Sequence, residues 1–181
     1  MKIAAPLLAL AALAFVATPG SASLKTGVKA PTFVAQGAKA GKPITVDLAR
    51  ALKKGPVVLY FFPAAFTPGC TAEAHAFAAA MPKFQAAGAT VIGMTMGNVD
   101  QLAAFSTKEC SSAFPVAAAS AALRDKYDVV LKIDGKDKGV TDRTTYVIAP
   151  NGKIVLAYSD LNWNDHVAKS LAAVQALHHK R

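Results

Sequence analysis

The chain has 181 residues, of which 53% are hydrophobic, and its 20 basic and 11 acidic residues give a formal net charge of +9. This length and apolar content suffice for one domain with a well-formed core. The basic residues are scattered along the chain without forming a stripe, which argues against a nucleic-acid-binding protein.

The N-terminal stretch differs from the rest of the chain. Lys2 is its only charged residue, Ala4 to Val16 is an apolar run, and Thr18 to Ser23 is small and turn-forming. The apolar run is shorter than the ~20 residues that a membrane-spanning helix needs. This layout predicts a secretory signal peptide over residues 1–23, with an uncleaved N-terminal anchor as the alternative.

Cleavage after Ala22 or Ser23 would leave one domain, residues 24–181, without a membrane segment. A periplasmic or secreted location follows, and such compartments are oxidising. Two cysteines in an oxidising compartment are commonly paired, so Cys70 and Cys110 are candidates for a disulfide. A permanent structural disulfide without chemistry is one interpretation of this pair.

The first predicted elements are two strands. Ile44 to Leu48 alternates apolar and polar residues, which indicates a short strand, and a brief helical turn follows. Val57 to Phe62 is a continuous β-branched and aromatic run, the pattern of a strand buried on both faces. Pro63 ends it.

The next predicted element is a helix that carries the first cysteine. Thr67 is a candidate N-cap, Pro68 suits the first helical turn, and the helix is predicted over Cys70 to Ala80. Pro82 is expected to kink or end it, and Gly88 closes the segment. A helix N-terminus carries partial positive charge, which favours a thiolate over a thiol at Cys70.

A second buried strand is predicted over Ala89 to Met96. Strand, helix and strand at this spacing imply a right-handed crossover and a parallel pair. Active residues then lie at the carboxyl ends of the strands, where Pro63 to Cys70 would be. Asn98 is the candidate N-cap of a helix from Val99 to about Lys108, and Cys110 follows that helix.

The rest of the chain predicts a hairpin and a closing helix, with a polar loop before them. The Asn-Gly turn signal at residues 151–152 favours the hairpin. Together these elements predict an α/β protein, a thioredoxin-like sandwich with a central mixed sheet flanked by helices. The predicted elements are a strand at Phe114–Val116, a helix at Ala121–Tyr127, a loop at Asp134–Gly139, hairpin strands at Arg143–Ile148 and Lys153–Tyr158, and a helix at Asn164–Leu177.

Three residues of the Cys70 segment form a specific motif. Pro63, Thr67 and Cys70 spell Pro-x-x-x-Thr-x-x-Cys, and the surrounding sequence resembles the active-site segment of peroxiredoxins. Within that superfamily it is similar to the PrxQ branch, also called bacterioferritin-comigratory-protein-like. Leu24 to Phe33 resembles the opening segment of the same family, and the resemblance extends to about Leu177.

The resemblance implies a peroxide-reducing site. Cys70 is then the peroxidatic thiolate, the hydroxyl of Thr67 lies beside its sulfur, and Pro63 shields the pocket from water. Arg143 opens a segment that resembles the family's Arg-x-x-Phe-x-Ile strand, with Tyr146 in place of the aromatic residue, and it would stabilise the thiolate and bind peroxide. Without the resemblance, Thr67 would be interpreted as a turn residue, Pro63 as a strand terminator and Arg143 as an ordinary surface arginine.

The second cysteine leaves two mechanisms open. Many PrxQ-like proteins carry a resolving cysteine five residues after the first, and here that position is His75, interpreted as a surface or packing residue. Cys110 fits the arrangement in which a later cysteine captures the sulfenic acid of Cys70 in an intramolecular disulfide. Otherwise the mechanism uses one cysteine and an external thiol. Glu73 is interpreted as a helix-stabilising or network residue.

The leading hypothesis is a thiol peroxidase for hydrogen peroxide or small organic hydroperoxides. It implies a thioredoxin-like or other thiol reductant, no cofactor and no metal, and a monomer or weak dimer. The alternative is a copper carrier of the same fold with a structural disulfide, in which Met94, Met96, His178, His179 and the cysteines would be soft or borderline ligands. For both methionines, packing in the core of the second strand is the simpler interpretation.

Overall fold

The computed structural model describes residues 23–178, so the predicted signal peptide lies outside the described residues except for Ser23. Within this range the chain forms nine strands and five α-helices. The strands are β1 (Val34–Lys39), β2 (Lys42–Asp47), β3 (Val57–Phe61), β4 (Thr90–Thr95), β5 (Val116–Ala118), β6 (Val130–Ile133), β7 (Lys136–Thr141), β8 (Thr144–Ile148) and β9 (Ile154–Ser159). The helices are α1 (Leu48–Leu52), α2 (Pro68–Ala86), α3 (Leu102–Lys108), α4 (Ala121–Lys126) and α5 (His166–His178).

Seven strands form one mixed sheet in the order β2-β1-β5-β4-β3-β8-β9, and β6 and β7 form a separate hairpin. The central strand β3 pairs in parallel with β4 and antiparallel with β8. Because α2 connects β3 to β4, the predicted strand-helix-strand unit is confirmed. The mixed sheet flanked by helices confirms the predicted thioredoxin-like fold class.

Side chains of β3 and of the residue after it alternate between two apolar cores. Tyr60 and Phe62 belong to the first core, which also contains Cys70 and Cys110. Phe61 belongs to the second core, on the other face of the sheet. Both faces of β3 are therefore buried, as its continuous apolar sequence predicted. Both cysteines lie on the same side of the sheet.

Two predictions about strands were wrong or incomplete. The predicted loop Asp134–Gly139 contains most of β7, which pairs with β6 around a turn at Asp134 and Gly135. Both turn residues have positive φ, 52° and 73°, as a tight two-residue hairpin turn requires. The polar, largely exposed sequence of β7 lacks the apolar alternation by which strands are recognised. The strands β1 and β6 were not predicted at all.

Two predictions about helices also need correction. The helix α2 does not end at Pro82 but continues to Ala86, because Met81 and Phe84 are buried in the first core and anchor its last turns. Asn98 precedes the helical segment from Val99 to Lys108, as predicted, but its side chain makes no capping bond. It has a left-handed φ of 55° and precedes a short 3-10 turn that leads into α3.

The remaining predicted elements are present with shifted boundaries. The β8–β9 hairpin is confirmed, with a register shift near its turn, and α4 and α5 occupy the predicted helical segments. Among residues 23–178, the structure has no helix with the length and apolar character needed to cross a bilayer.

Candidate functional site

Cys70 lies in the first turn of α2, at the carboxyl end of β3. It is 1% exposed and packs in the first core. The turn forms because Pro68 occupies the start of the helix, where a missing N–H costs no hydrogen bond. The sulfur is therefore shielded from bulk water beside the positive end of a helix.

The loop between β3 and α2 is held through its backbone carbonyls. The donors are side chains at or near the ends of β4 and β7 and within the loop itself, so the loop depends on distant parts of the chain. The bonds run from Thr141 Oγ1 to the Phe62 carbonyl (2.7 Å), Thr95 Oγ1 to Pro63 (3.0 Å), Thr67 Oγ1 to Ala64 (3.0 Å) and Asn98 Nδ2 to Ala65 (2.8 Å).

Thr67 occupies the N-cap position of α2, but its side chain makes no capping bond. The predicted N-cap position is confirmed, while the Thr67 hydroxyl donates to the Ala64 carbonyl and makes no bond to a helix N–H. The residue before it, Phe66, has a left-handed φ of 62°, which is strained for a bulky side chain. Its ring packs edge-to-face on Phe105 with centroids 5.3 Å apart, a contact that helps to hold this conformation.

Arg143 lies directly before β8 and is only 5% exposed. Its Nη2 donates to the Cys70 sulfur at 3.5 Å, and its Nη1 donates to Glu73 Oε2. Its Nε donates to the Leu161 carbonyl at 2.9 Å, so three nitrogens have fixed partners. Burial lowers the pKa of Arg143, but Glu73 and Cys70 outweigh this effect and the net direction is upward. The guanidinium remains a fixed cation beside the sulfur.

Glu73 lies one helical turn after Cys70 and is fully buried. Burial raises the pKa of its carboxyl to about 7, although Arg143 acts in the opposite direction. The interpretation of Glu73 as a network residue is consistent with its contact to Arg143. Its second oxygen, Oε1, has no hydrogen-bond partner among the described residues.

Two residues that the sequence analysis did not single out complete this buried group. His166, at the start of α5, is fully buried, and its Nδ1 lies 3.7 Å from Glu73 Oε1. Thr145 of β8 contacts the same Nδ1 at 2.8 Å. No local motif marks either residue, because their contact depends on how α5 packs on the sheet. Trp163 also lies at this edge, where a side chain at Gly69 would approach both Arg143 and the indole.

Cys110 follows α3 and is fully buried in the first core. Both cysteines are free thiols in the structure. Burial, and then the neighbouring Glu109, raise the pKa of the Cys110 thiol well above its usual range. At the surface, His75 of α2 contacts Glu109, with Nε2 and Oε2 2.7 Å apart, and the His75 side chain is 56% exposed. His75 is thus a surface residue, as predicted, and it connects α2 to the segment that carries Cys110.

The proposed soft-metal ligands are not assembled into a site within the described range. Residues 23–178 contain no group of three or more His, Cys, Asp or Glu side chains placed to hold a metal ion. Met94 is fully buried in the second core and Met96 packs against it, so packing accounts for both. The side chain of His178, and His179 as a whole, lie outside the described residues.

The fold and the placement of Cys70 define a class, the thioredoxin-fold enzymes that use a cysteine at a helix start. The AhpC/TSA family model matches residues 26–157, and the chain belongs to this family. The peroxiredoxin Bcp of Xanthomonas campestris pv. campestris is 34% identical over 123 residues, covering 66% of this chain and 76% of the relative.

Solved structures give the same result. Peroxidoxin BcpB of Mycobacterium tuberculosis matches with a TM-score of 0.72 and 31% identity, over 85% of this chain and 98% of that protein. The bacterioferritin comigratory protein of X. campestris matches with a TM-score of 0.72 and 30% identity, over 85% and 99% respectively. The resemblance to the PrxQ branch is confirmed, and the protein is a thiol peroxidase. The family gives no support to a copper carrier.

Proposed function

We propose that Cys70 is the peroxidatic cysteine, and that Arg143, Thr67 and Pro63 form its peroxide-binding pocket. The observation that carries this proposal is the 3.5 Å contact between Arg143 Nη2 and the Cys70 sulfur. A permanent cation at this distance stabilises the thiolate and the negative charge that develops on peroxide oxygen. Pro63 and Thr67 flank the pocket on the loop before α2.

The first chemical step consumes one peroxide. The Cys70 thiolate attacks one peroxide oxygen, the O–O bond breaks, and the sulfur is oxidised to a sulfenic acid. The other oxygen leaves and takes up a proton to become water or an alcohol. The shielded position of the sulfur favours small substrates, so we propose hydrogen peroxide and small organic hydroperoxides. The solved X. campestris relative is described by its alkyl peroxide reduction activity, which supports the second class.

In the second step, Cys110 attacks the sulfenic sulfur of Cys70, a disulfide forms and water leaves. Its place in the same core as Cys70 supports this assignment. Tyr60 belongs to the same core as both cysteines. Both cysteines are free thiols in the structure, so disulfide formation requires a rearrangement, which we propose is unwinding of the first turn of α2.

The cycle closes when an external dithiol reduces the disulfide. Peroxiredoxins use a thiol reductant such as thioredoxin, and we propose a thioredoxin-like donor for this chain. The composition of residues 1–23 supports a cleaved signal peptide, a periplasmic or secreted mature protein and a single domain from residue 24 to 181. We further propose that this domain acts as a monomer or weak dimer.

Mass spectrometry after one equivalent of hydrogen peroxide tests the cysteine roles. Reduced wild-type protein is expected to yield a Cys70–Cys110 disulfide. Cys110→Ser is expected to stop at a sulfenic acid on residue 70 that a dimedone-type reagent captures, and Cys70→Ser is expected not to consume peroxide. Unchanged peroxide consumption by Cys70→Ser would overturn the proposal. Wild-type turnover rates in Cys110→Ser would instead establish the one-cysteine mechanism.

A further inference from the structure

The Glu73 carboxyl group is only half satisfied in its buried position. Oε2 accepts from Arg143, but Oε1 has no partner among residues 23–178. A buried carboxylate oxygen without a donor is costly, because its hydrogen bonds to water are lost and are not replaced, and Arg143 satisfies only the other oxygen. A proton on Oε1 removes most of this cost because the neutral group needs far less solvation.

The group that faces Oε1 is an acceptor. His166 Nε2 lies 2.9 Å from the Asp160 carbonyl, which can only accept, so Nε2 carries the hydrogen. In the neutral ring Nδ1 then has a lone pair, which receives the Thr145 hydroxyl at 2.8 Å. Nδ1 therefore has no hydrogen to offer Glu73 Oε1, which lies 3.7 Å away. A bare carboxylate oxygen gains nothing from this neighbour, so a neutral, protonated oxygen is favoured at this place.

The charges in this group lead to the same conclusion. Cys70, Glu73 and Arg143 are all at most 5% exposed. If the sulfur is a thiolate and Glu73 is ionised, two negative charges share one buried guanidinium. With a proton on Glu73 the three groups sum to zero, which a low-dielectric site tolerates far better.

We infer that in the reactive form of the enzyme Glu73 holds a proton on Oε1, facing His166 Nδ1, so that the full charge of Arg143 serves the Cys70 thiolate. This inference rests on the proposed role of Cys70 as the ionised nucleophile. Glu73 and His166 are positioning residues in this scheme, since both act on the sulfur through Arg143.

The electrostatic environment supports the carboxyl as the site of the proton. Burial raises the pKa of Glu73 to about 7, and burial lowers the pKa of His166 to about 4. The ionisable groups around Glu73 are Arg143 before β8, Cys70 on its own helix, His166 on α5 and Tyr60 on β3. Around His166 they are Glu73, Arg143, Asp160 and Asp165, with the Tyr158 ring 4.7 Å away. Because the pKa of Glu73 is the higher of the two, a proton shared between Glu73 and His166 resides on the Glu73 carboxyl group.

Oxidation of the sulfur then changes where the proton is needed. The sulfenic acid is neutral, so Arg143 is left with Glu73 as its only anionic partner in the group, and Glu73 ionises. The balanced step is thiolate plus hydroperoxide plus protonated Glu73, giving sulfenic acid, alcohol or water, and ionised Glu73. The departing oxygen takes up one proton, and ionisation of Glu73 releases one proton, so the site as a whole takes up none from solution.

Proton uptake measured with an indicator dye in weakly buffered solution tests this. The reduced protein is mixed with one equivalent of hydrogen peroxide near pH 6, after ultraviolet absorbance has established that Cys70 is a thiolate. The wild type is expected to take up much less than one proton for each Cys70 oxidised. Glu73→Gln, which has no proton to release, is expected to take up about one. Uptake by wild type equal to that of Glu73→Gln overturns the inference.

Rates provide a second readout. A glutamine can accept from Arg143 with its oxygen and place an uncharged NH2 group beside His166, so it imitates protonated Glu73. Glu73→Gln is expected to react with peroxide within about threefold of the wild type near pH 6 and to lose the decline in rate that ionisation of Glu73 produces above about pH 7. A hundredfold loss in this variant, with the fold intact, would mean that Arg143 needs an ionised partner. Glu109→Gln is the matched control, and its proton uptake is expected to equal that of the wild type.

An infrared difference spectrum of the wild type covers the case in which Glu73→Gln does not fold. Oxidation with peroxide is expected to bleach the carbonyl band of one protonated carboxyl group, and absence of that loss overturns the inference. If the wild type carries no thiolate or Cys70 does not react with peroxide, the proposed function itself fails. Normal Cys70 oxidation with full proton uptake refutes only the inference about Glu73.

Discussion

One guanidinium group connects Cys70 to Glu73: Nη2 of Arg143 donates to the sulfur at 3.5 Å while Nη1 donates to Oε2 of the carboxyl group. The fork is fixed by a third bond, from Nε to the Leu161 carbonyl. Its geometry therefore depends on three segments that are far apart in the chain. Arginine supplies all three bonds from one planar group, which lysine cannot do.

Arg143→Lys is accordingly expected to lower the second-order rate constant for peroxide by about 10²–10³-fold, because an ammonium cannot contact both the sulfur and Glu73. Rapid-mixing kinetics with hydrogen peroxide would measure this. Arg50→Lys makes the same change at an exposed position on α1 and is expected to leave the rate unchanged. An Arg143→Lys enzyme of wild-type speed would show that charge alone, without the fork, is sufficient.

Glu73 and His166 are expected to give opposite pH dependences of stability. Folding raises the pKa of Glu73 from 4.5 to about 7, so the folded protein holds more protons in that window and loses stability as pH rises. Folding lowers the pKa of His166 from 6.5 to about 4, so stability is lost as pH falls through that window. In the wild type the two effects largely cancel.

Single variants separate these two effects. Glu73→Gln is expected to lose stability relative to the wild type as pH falls from about 6.5 to about 4. His166→Gln is expected to lose stability as pH rises from about 4.5 to about 7. Urea unfolding at a series of pH values measures both slopes, and slopes of the same sign would contradict the assignment.

The surface contact between His75 and Glu109 ties α2 to the segment that carries Cys110. Because the proposed disulfide requires the start of α2 to move, His75→Ala is expected to speed disulfide formation. Surface ion pairs contribute roughly 0.2–1 kcal/mol, so the increase should be about 1.4- to fivefold where His75 is protonated. Quenched-flow mass spectrometry would follow it. Asp125→Ala removes a surface pair on α4 and should change nothing at the cysteines.

Gly93 of β4 provides the space that Tyr60 occupies. A Cβ at this position would lie 2.9 Å from three atoms of the phenol, and Tyr60 is held between Phe62 and Phe77 with ring centroids 5.4 and 4.4 Å away. Gly93→Ala is expected to lower the free energy of unfolding by about 1–3 kcal/mol. Urea unfolding measures this, and in a Tyr60→Leu background the same change should cost less. If Gly93→Ala lowered the free energy of unfolding equally in both backgrounds, the contact with Tyr60 would not be the source of the strain.

The sequence predicted what local pattern or family resemblance encodes. Cys70 at a helix start follows from the buried strand, the turn and Pro68, and Arg143 was reached only through its resemblance to a family strand. His166 carried no signal, since its contact with Glu73 arises when α5 docks on the sheet. The strand β7 was missed because an exposed hairpin has no apolar face to mark it. The helix α2 was predicted to kink or end at Pro82, but it continues because burial of Met81 and Phe84 outweighs the local cost of the proline.

Tyr60 and Phe62 line the core that encloses both sulfurs. The aromatic packing that keeps water away from Cys70 also resists the excursion by which an internal disulfide would close. The same side chains therefore stabilise the fold and slow the movement that turnover requires. A variant selected for heat resistance by tighter packing of this face should cycle more slowly, even when its first encounter with peroxide is as fast as before.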